Sequence, residues 1–158
     1  MRRGEGRSSL PFVFFLFETN VLVSMQSYVL LLARVLLGLI FVMSGISKIS
    51  GFESTQQYMA SHGIPLTAVF LVGAILVEIL GGLSIILGLW ARAGAAALVL
   101  FLIPATVIFH TEFGQRTQMI MFLKNLSIMG GLLLLMVHGA QQYALRTLEL
   151  TEEEQAFA

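Results

Sequence analysis

The chain contains no cysteine, and only 11% of its 158 residues are charged. The absence of cysteine excludes disulfides, cysteine nucleophiles and cysteine-ligated zinc or iron–sulfur centres. A redox role would therefore need an organic cofactor, a quinone or a partner subunit. Basic and acidic side chains are equal in number, at nine each, and the basic ones are scattered along the chain. The sequence thus lacks the basic patch that binds nucleic acid, and no nucleic-acid partner is expected.

Histidine is also scarce. His62 lies in a predicted loop, whereas His110 and His138 lie at opposite ends of predicted helices. A haem held by two axial histidines needs both at one depth, and no pair within the chain satisfies this condition. The same spacing argues against a histidine-ligated metal. The sequence predicts no metal site and no cofactor held by the chain alone.

Hydrophobic residues make up 57% of the chain, and its mean hydropathy is +0.88. A soluble domain with that composition would expose apolar patches too large for it to stay in solution. A bilayer-spanning helix needs about 20 mainly apolar residues, and four segments have this character. They are Tyr28–Ile46, Leu66–Leu89, Ala93–Phe109 and Met119–Val137. The sequence predicts an all-α integral membrane protein, a four-helix bundle with antiparallel up-down topology.

Three regions follow from this pattern. Residues 1–26 form an N-terminal extension, which is expected to be disordered or interfacial. Its basic residues are followed by a short apolar run, as in a secretory signal, but no clear cleavage site follows. Met25 is a candidate for an alternative start of translation. Residues 27–142 form the transmembrane domain, and residues 143–158 form an acidic, solvated tail. Pro104 lies inside the third apolar segment, where it is expected to kink the helix.

The orientation of the bundle follows from the basic residues near the helix ends. Lys48 and Arg116 fall on one predicted side of the membrane; the other side has Arg2, Arg3, Arg7, Arg92 and Arg146. Cytoplasmic loops carry the excess of lysine and arginine. The sequence therefore predicts that both termini are cytoplasmic. On the outer side, the polar stretch Ser50–Ile64 forms either a surface loop or a short helix lying on the membrane.

Three apolar segments contain a charged residue, namely Arg34, Glu78 and Lys124. A charge at the centre of a membrane helix costs about 3 kcal/mol, so such residues usually face the protein interior and mark functional sites. Helical periodicity places each of them on a stripe that also carries glycine, which favours close packing inside the bundle. Counting depth from the helix ends predicts an Arg34–Glu78 ion pair, with Lys124 as a weaker competitor for Glu78. Asn125 completes this candidate intramembrane site.

A candidate outer pocket lies above Glu78. Lys48 ends the first helix and His110 ends the third, while Lys124 and Asn125 open the fourth. Together these residues would offer hydrogen-bond donors at interfacial depth. Two structural alternatives remain open: Lys48 and His110 lie in the lipid headgroup region, and the Arg34–Glu78 pair only holds helices together.

Several strings in order resemble the DoxX family of small bacterial membrane proteins. The first helix contains Ala33-Arg34-Val35-Leu36-Leu37-Gly38-Leu39-Ile40-Phe41 and Ser44-Gly45-Ile46-Ser47-Lys48, followed by Gly51-Phe52 and Tyr58-Met59-Ala60. Further matches are Glu78-Ile79-Leu80-Gly81-Gly82, Leu87-Gly88-Leu89-Trp90-Ala91-Arg92 and Phe122-Leu123-Lys124-Asn125-Leu126-Ser127. The resemblance covers about Tyr28 to Gln142. It implies a four-helix inner-membrane protein without an established cofactor, some of whose relatives serve quinone-linked oxidation or stress protection.

Three functional hypotheses follow. The first is a membrane subunit of a quinone-linked redox or stress-protection assembly, which binds a quinone and uses Glu78 to carry protons. The second is a carrier or channel for a small solute along the same polar stripe, and the third is an assembly scaffold without chemistry. The expected partners are membrane lipid and either a soluble oxidoreductase or further copies of the chain.

Overall fold

The structure, a computed structural model, describes residues 10–140, with side chains from Met25 onward. This part of the chain contains five α-helices and no strand. In chain order they are α1 (Leu10–Ser50), α2 (Phe52–Ser61), α3 (Thr67–Leu87), α4 (Ala91–Phe109) and α5 (Arg116–His138). The prediction of an all-α fold is confirmed.

Four of these helices are long and apolar enough to cross a membrane. They are the Met25–Ser50 part of α1 and the whole of α3, α4 and α5. Leucine, isoleucine and valine side chains cover their outer faces; Leu134, for example, is 65% exposed. In lipid such a surface is solvated by acyl chains, so it needs no further burial. The prediction of a membrane helical bundle is therefore confirmed.

Short connections fix the order of the helices. Gly88 ends α3 in a left-handed conformation (φ 74°), which glycine adopts without steric cost, and α4 begins three residues later at Ala91. This tight turn makes α3 and α4 antiparallel neighbours, as the sequence predicted. The stretch after α1, predicted as either a loop or a short helix, is the helix α2.

The N-terminal region is described from Leu10 onward, and its predicted role as a disordered or interfacial extension stays a prediction. α1 begins at Leu10, so residues 10–24 continue the first spanning helix without a break. Residues 1–9 and the predicted acidic tail, residues 143–158, lie outside the described residues. α4 runs through Pro104 as one helix, and the kink expected there stays a prediction.

The helices pack in the order α1, α3, α4, α5, and α1 and α5 make only a weak contact with each other. Glycines bring the first pair close together, since a β-carbon on Gly82 would lie 2.8 Å from the carbonyl oxygen of Gly38. A β-carbon on Gly81 would similarly lie 2.8 Å from Leu98 of α4. The predicted role of these glycine stripes in interior packing is confirmed. We call the end of the bundle near α2 the α2 end, and the end near the α3–α4 turn the Trp90 end.

Candidate functional site

The charged centre of the bundle is an ion pair between α1 and α3. Lys48 Nζ lies 2.8 Å from Glu78 Oε1 and donates a hydrogen bond to it. Ser44 Oγ donates to the same carboxylate oxygen over 3.1 Å and accepts a hydrogen bond from Lys48 Nζ over 2.8 Å. The three side chains form a closed hydrogen-bonded triangle, which we call the Glu78 site.

The two charges of the Glu78 site differ in their access to the surroundings. The side chain of Glu78 is 5% exposed, whereas that of Lys48 is 25% exposed. Glu78 Oε2 is buried and, among the described residues, has no hydrogen-bond partner. A buried polar atom of this kind is costly unless it binds a proton or a ligand donor. The site therefore combines a buried acceptor with a cation that reaches the surface of the bundle.

Close packing of α1 on α3 places these groups at one level. A β-carbon on Gly45 would lie 2.6 Å from Ile79 and 3.5 Å from the β-carbon of Glu78. Side chains on a helix lean toward its N-terminus, so Lys48 reaches back one turn toward Ser44 and Glu78. Without a side chain at position 45, the carboxylate fits directly against the first helix.

The predicted Arg34–Glu78 ion pair is wrong. Arg34 is level with Ile86, to whose carbonyl oxygen its guanidinium donates over 3.2 Å. Ile86 is eight residues, or about 12 Å, from Glu78 along α3. The depth estimate failed because it counted from predicted helix ends, whereas the Gly38–Gly82 contact sets the register of α1 against α3.

Arg34 instead joins helix ends at the Trp90 end of the bundle. Besides Ile86 near the end of α3, it donates to the carbonyl oxygen of Ala140, just beyond α5, over 2.6 Å. The last carbonyls of a helix have no partner within it and carry partial negative charge, so a cation is stabilising there. The residue is buried, with 4% exposure, as the sequence predicted.

The predicted inward position of Lys124 is also wrong. Lys124 lies exposed on the outer face of α5, where its Nζ lies 3.2 Å from Met121 Sδ. The buried residues of α5 are Asn125 and Leu132. Successive residues of a helix are rotated by about 100° from each other. The interior-facing stripe of α5 passes through Asn125, so Lys124, one position earlier, faces lipid. Lys124 therefore does not compete for Glu78.

Asn125 does face the interior, where it forms a second polar pair. Its Nδ2 donates to Thr106 Oγ1 of α4 over 3.0 Å, and both residues are buried. Thr106 Oγ1 in turn donates to the carbonyl oxygen of Leu102 over 2.6 Å. This pair joins α4 to α5, whereas the Glu78 site joins α1 to α3. Of the four residues predicted as one intramembrane site, Arg34, Glu78 and Asn125 thus lie at separate contacts between helices, and Lys124 lies on the outer face of α5.

The residues of the candidate outer pocket have separate partners, and the pocket itself stays a prediction. His110 Nδ1 lies 2.8 Å from Gln118 Oε1, a contact between the end of α4 and the start of α5. Lys48 points to Glu78, and Lys124 is exposed. The described residues show no contact that joins Lys48 to His110.

Sequence reasoning missed Ser44, Thr106 and Gln118. Ser44 lies one helical turn before Lys48 on the same face, so the i, i+4 spacing was an available signal. Thr106 and Gln118 are polar residues in or beside apolar segments, but nothing in their spacing identified their partners. Within the described residues, no three histidine, aspartate or glutamate side chains lie close enough to hold a metal ion.

These features define a class of protein: a small polytopic membrane protein with a buried ion pair between its first two spans. Residues 29–111 match the DoxX family, and this chain belongs to that family. It is 39% identical to Inner membrane protein YqjF of Escherichia coli (strain K12) over 115 residues, which cover 73% of this chain and 87% of YqjF. The resemblance predicted from the sequence strings is confirmed.

Two further relatives extend the comparison. Inner membrane protein YphA of Escherichia coli (strain K12) is 36% identical over 115 residues, covering 70% of this chain and 82% of YphA. "Putative oxidoreductase CatD" of Bacillus subtilis (strain 168) is 38% identical over 77 residues, covering 49% of this chain and 56% of CatD. No solved structure matches this chain significantly.

Proposed function

We propose that this protein is an inner-membrane subunit of a quinone-linked redox or stress-protection assembly, and that the Glu78 site exchanges protons with the quinone. The observation that carries the proposal is the buried Glu78 Oε2, which lacks a hydrogen-bond partner among the described residues while Oε1 is bound by Lys48 and Ser44. The names of the relatives support it: two are inner-membrane proteins, and CatD is named for an oxidoreductase activity.

The chemistry assigns a distinct role to each side chain. Lys48, the more exposed member, donates a hydrogen bond to a quinone carbonyl oxygen at the surface of the bundle. Reduction of the quinone to quinol takes up two electrons, which a soluble partner oxidoreductase supplies, and two protons. Each proton passes from the Lys48 ammonium group to a quinone oxygen, and Glu78 then returns a proton to the neutral amine through their hydrogen bond. Glu78 regains each proton from the aqueous phase.

Removal of the carboxylate charge tests this proposal. Glu78→Gln keeps the shape of the side chain but cannot exchange a proton, and Lys48→Met removes the donor. We expect Lys48→Met to weaken binding of a soluble short-chain quinone to the purified protein by about tenfold or more, because one charge-assisted hydrogen bond is lost. We expect Glu78→Gln to lose protection of cells against quinone stress, because it cannot carry a proton. Lys124→Met is the matched control, since it removes an exposed lysine from another helix. Binding by Lys48→Met equal to that of Lys124→Met and the parent, or undiminished protection by Glu78→Gln, would refute the proposal.

The scaffold hypothesis makes the opposite prediction for a charge swap. In the double variant K48E/E78K the ion pair is retained, but the buried carboxylate is replaced by an ammonium group. If the pair serves only to hold α1 against α3, the double variant should recover both stability and protection of cells against quinone stress. We expect recovered stability without recovered protection. Recovery of both would establish the scaffold role.

A further inference from the structure

A groove separates the first and last spanning helices. α1 and α5 make only a weak contact, and between them lies a cavity of about 470 Å³. This volume is in the range of about 300–1,000 Å³ that is usual for small-molecule sites. Its walls are mainly apolar and comprise Leu30, Ala33 and Leu37 of α1 with Gly131, Leu134 and Leu135 of α5. We call it the α1–α5 groove.

The α1–α5 groove opens to the hydrocarbon of the membrane. Leu30 is 41% exposed and Leu134 is 65% exposed, so the rim is formed by side chains that already face lipid. A hydrocarbon chain reaches a slot of this kind sideways from the bilayer, without passage through water. Two small residues, Ala33 and Gly131, leave the space that such a chain would fill.

One face of α1 joins the α1–α5 groove to the Glu78 site. Residues three, four or seven positions apart lie on the same face of a helix. The residues of α1 that share this face are Leu30, Leu37, Phe41, Ser44 and Lys48. Phe41 is buried in the core cluster, against which Leu37 and Leu135 of the groove also pack. A continuous face of α1 therefore leads from the buried ion pair to the groove.

The distance between the two sites is short. Ser44 of the Glu78 site is seven residues from Leu37 of the groove, or about 10 Å along α1. A quinone ring bound at Lys48 does not span this distance, but a decyl or prenyl tail attached to the ring does. The groove and the Glu78 site are thus placed for the two ends of one amphiphilic molecule.

We propose that the α1–α5 groove binds the hydrocarbon tail of the quinone whose ring lies at the Glu78 site, so that the protein selects tailed quinones over tail-less ones. This inference rests on the proposed function, because it concerns the same quinone. Lipid is as apolar as the groove, so the selection comes from van der Waals packing of the tail against the walls. The space beside Ala33 and Gly131 therefore determines the preference.

Two adjacent glycines provide a matched test of the tail slot. Gly131 lines the groove, and a β-carbon there would meet Leu37 at an ordinary 3.6 Å. Gly130 is exposed, with nothing within 4 Å of a β-carbon. Gly131→Leu should therefore fill the groove, whereas Gly130→Leu adds the same side chain outside it. Ala33→Phe, at an exposed position of α1, fills the groove from the opposite wall.

The preference would be measured by titration of the purified protein, in one detergent, with decylubiquinone and with the tail-less ubiquinone headgroup. The readout is the ratio of the two dissociation constants. Partitioning of each quinone into micelles is the same for every variant, so a change in the ratio reports the groove. We expect Gly131→Leu and Ala33→Phe to lower the preference for the tailed quinone at least fivefold. Gly130→Leu should keep the ratio of the parent.

The outcomes separate this inference from the proposed function. If the parent binds both quinones and the ratio is the same in Gly131→Leu and Ala33→Phe, the groove does not hold the tail, and the proposed function stands without this inference. If the parent binds neither quinone, the proposed function fails and this inference fails with it. Loss of a co-purified phospholipid from Gly131→Leu with an unaltered ratio would assign the groove to lipid and overturn the inference.

Discussion

At the scale of single residues, buried polar groups of the described chain are arranged as short, local networks. Glu78 is held by Lys48 and Ser44, and Asn125 is held by Thr106. In each network a hydroxyl acts as both donor and acceptor, which satisfies groups that lipid cannot. The sequence identified Glu78 because it interrupts an apolar segment, and Lys48 because it ends the first predicted helix. It did not identify the hydroxyls, since serine and threonine are common in membrane helices.

The Thr106–Asn125 pair offers a test at this scale. Thr106→Val keeps the shape of the side chain but removes the acceptor of the Asn125 amide, which would then be buried without this partner. We expect a loss of about 1–2 kcal/mol in the free energy of unfolding, because interhelical hydrogen bonds in membranes are of modest worth. Denaturant titration in detergent micelles measures this loss. The double variant with Asn125→Leu should recover part of it, and strictly additive losses would contradict the interpretation.

At the scale of helices, the α1–α3 interface determines the geometry of the Glu78 site. Gly38 and Gly82 approach so closely that each would place a β-carbon within 2.8 Å of the other's carbonyl oxygen. This contact aligns Ser44 with Glu78 and Arg34 with Ile86. The sequence predicted that these glycines face inward, but periodicity along one helix carries no information about its vertical register against another.

Substitution of one glycine tests this dependence. Gly82→Ala would place a methyl group 2.8 Å from a backbone oxygen, so α1 must move away from α3. We expect a loss of about 1–3 kcal/mol in stability, as for other overpacked sites, with weaker quinone binding. Gly73→Ala, in the same helix, is the control because nothing lies within 4 Å of its β-carbon. Its stability should be unchanged or slightly higher, since alanine favours the helix; equal losses in both variants would exclude packing as the cause.

At the scale of the whole molecule, the spans form an array in which the first and last helices barely meet. The order α1, α3, α4, α5 leaves a cavity between α1 and α5 at one side of the described bundle. An even number of spans places both ends of the bundle's chain on the same side of the membrane. By the positive-inside rule, the Trp90 end is expected to face the cytoplasm.

The absence of cysteine makes this orientation directly testable. Single cysteines at Glu53 and Glu112 would lie at the α2 end, and one at Leu89 would lie at the Trp90 end. In intact cells, a membrane-impermeant maleimide should label Glu53→Cys and Glu112→Cys, whereas Leu89→Cys should react only after the membrane is opened. The reverse pattern would place the termini outside, and labelling of all three in intact cells would contradict a spanning topology.

The sequence by itself determined the number of spans, their approximate limits, the family and the inward position of Arg34, Glu78 and the packing glycines. These follow from the cost of polar groups in lipid and from the length of the apolar segments. Only the tertiary structure decided that Glu78 pairs with Lys48, that Arg34 joins helix ends and that Lys124 faces outward. Partner choice depends on how far one helix slides and rotates against the next. Backbone contacts between glycines set that displacement, and an error of one residue rotates a side chain by about 100°.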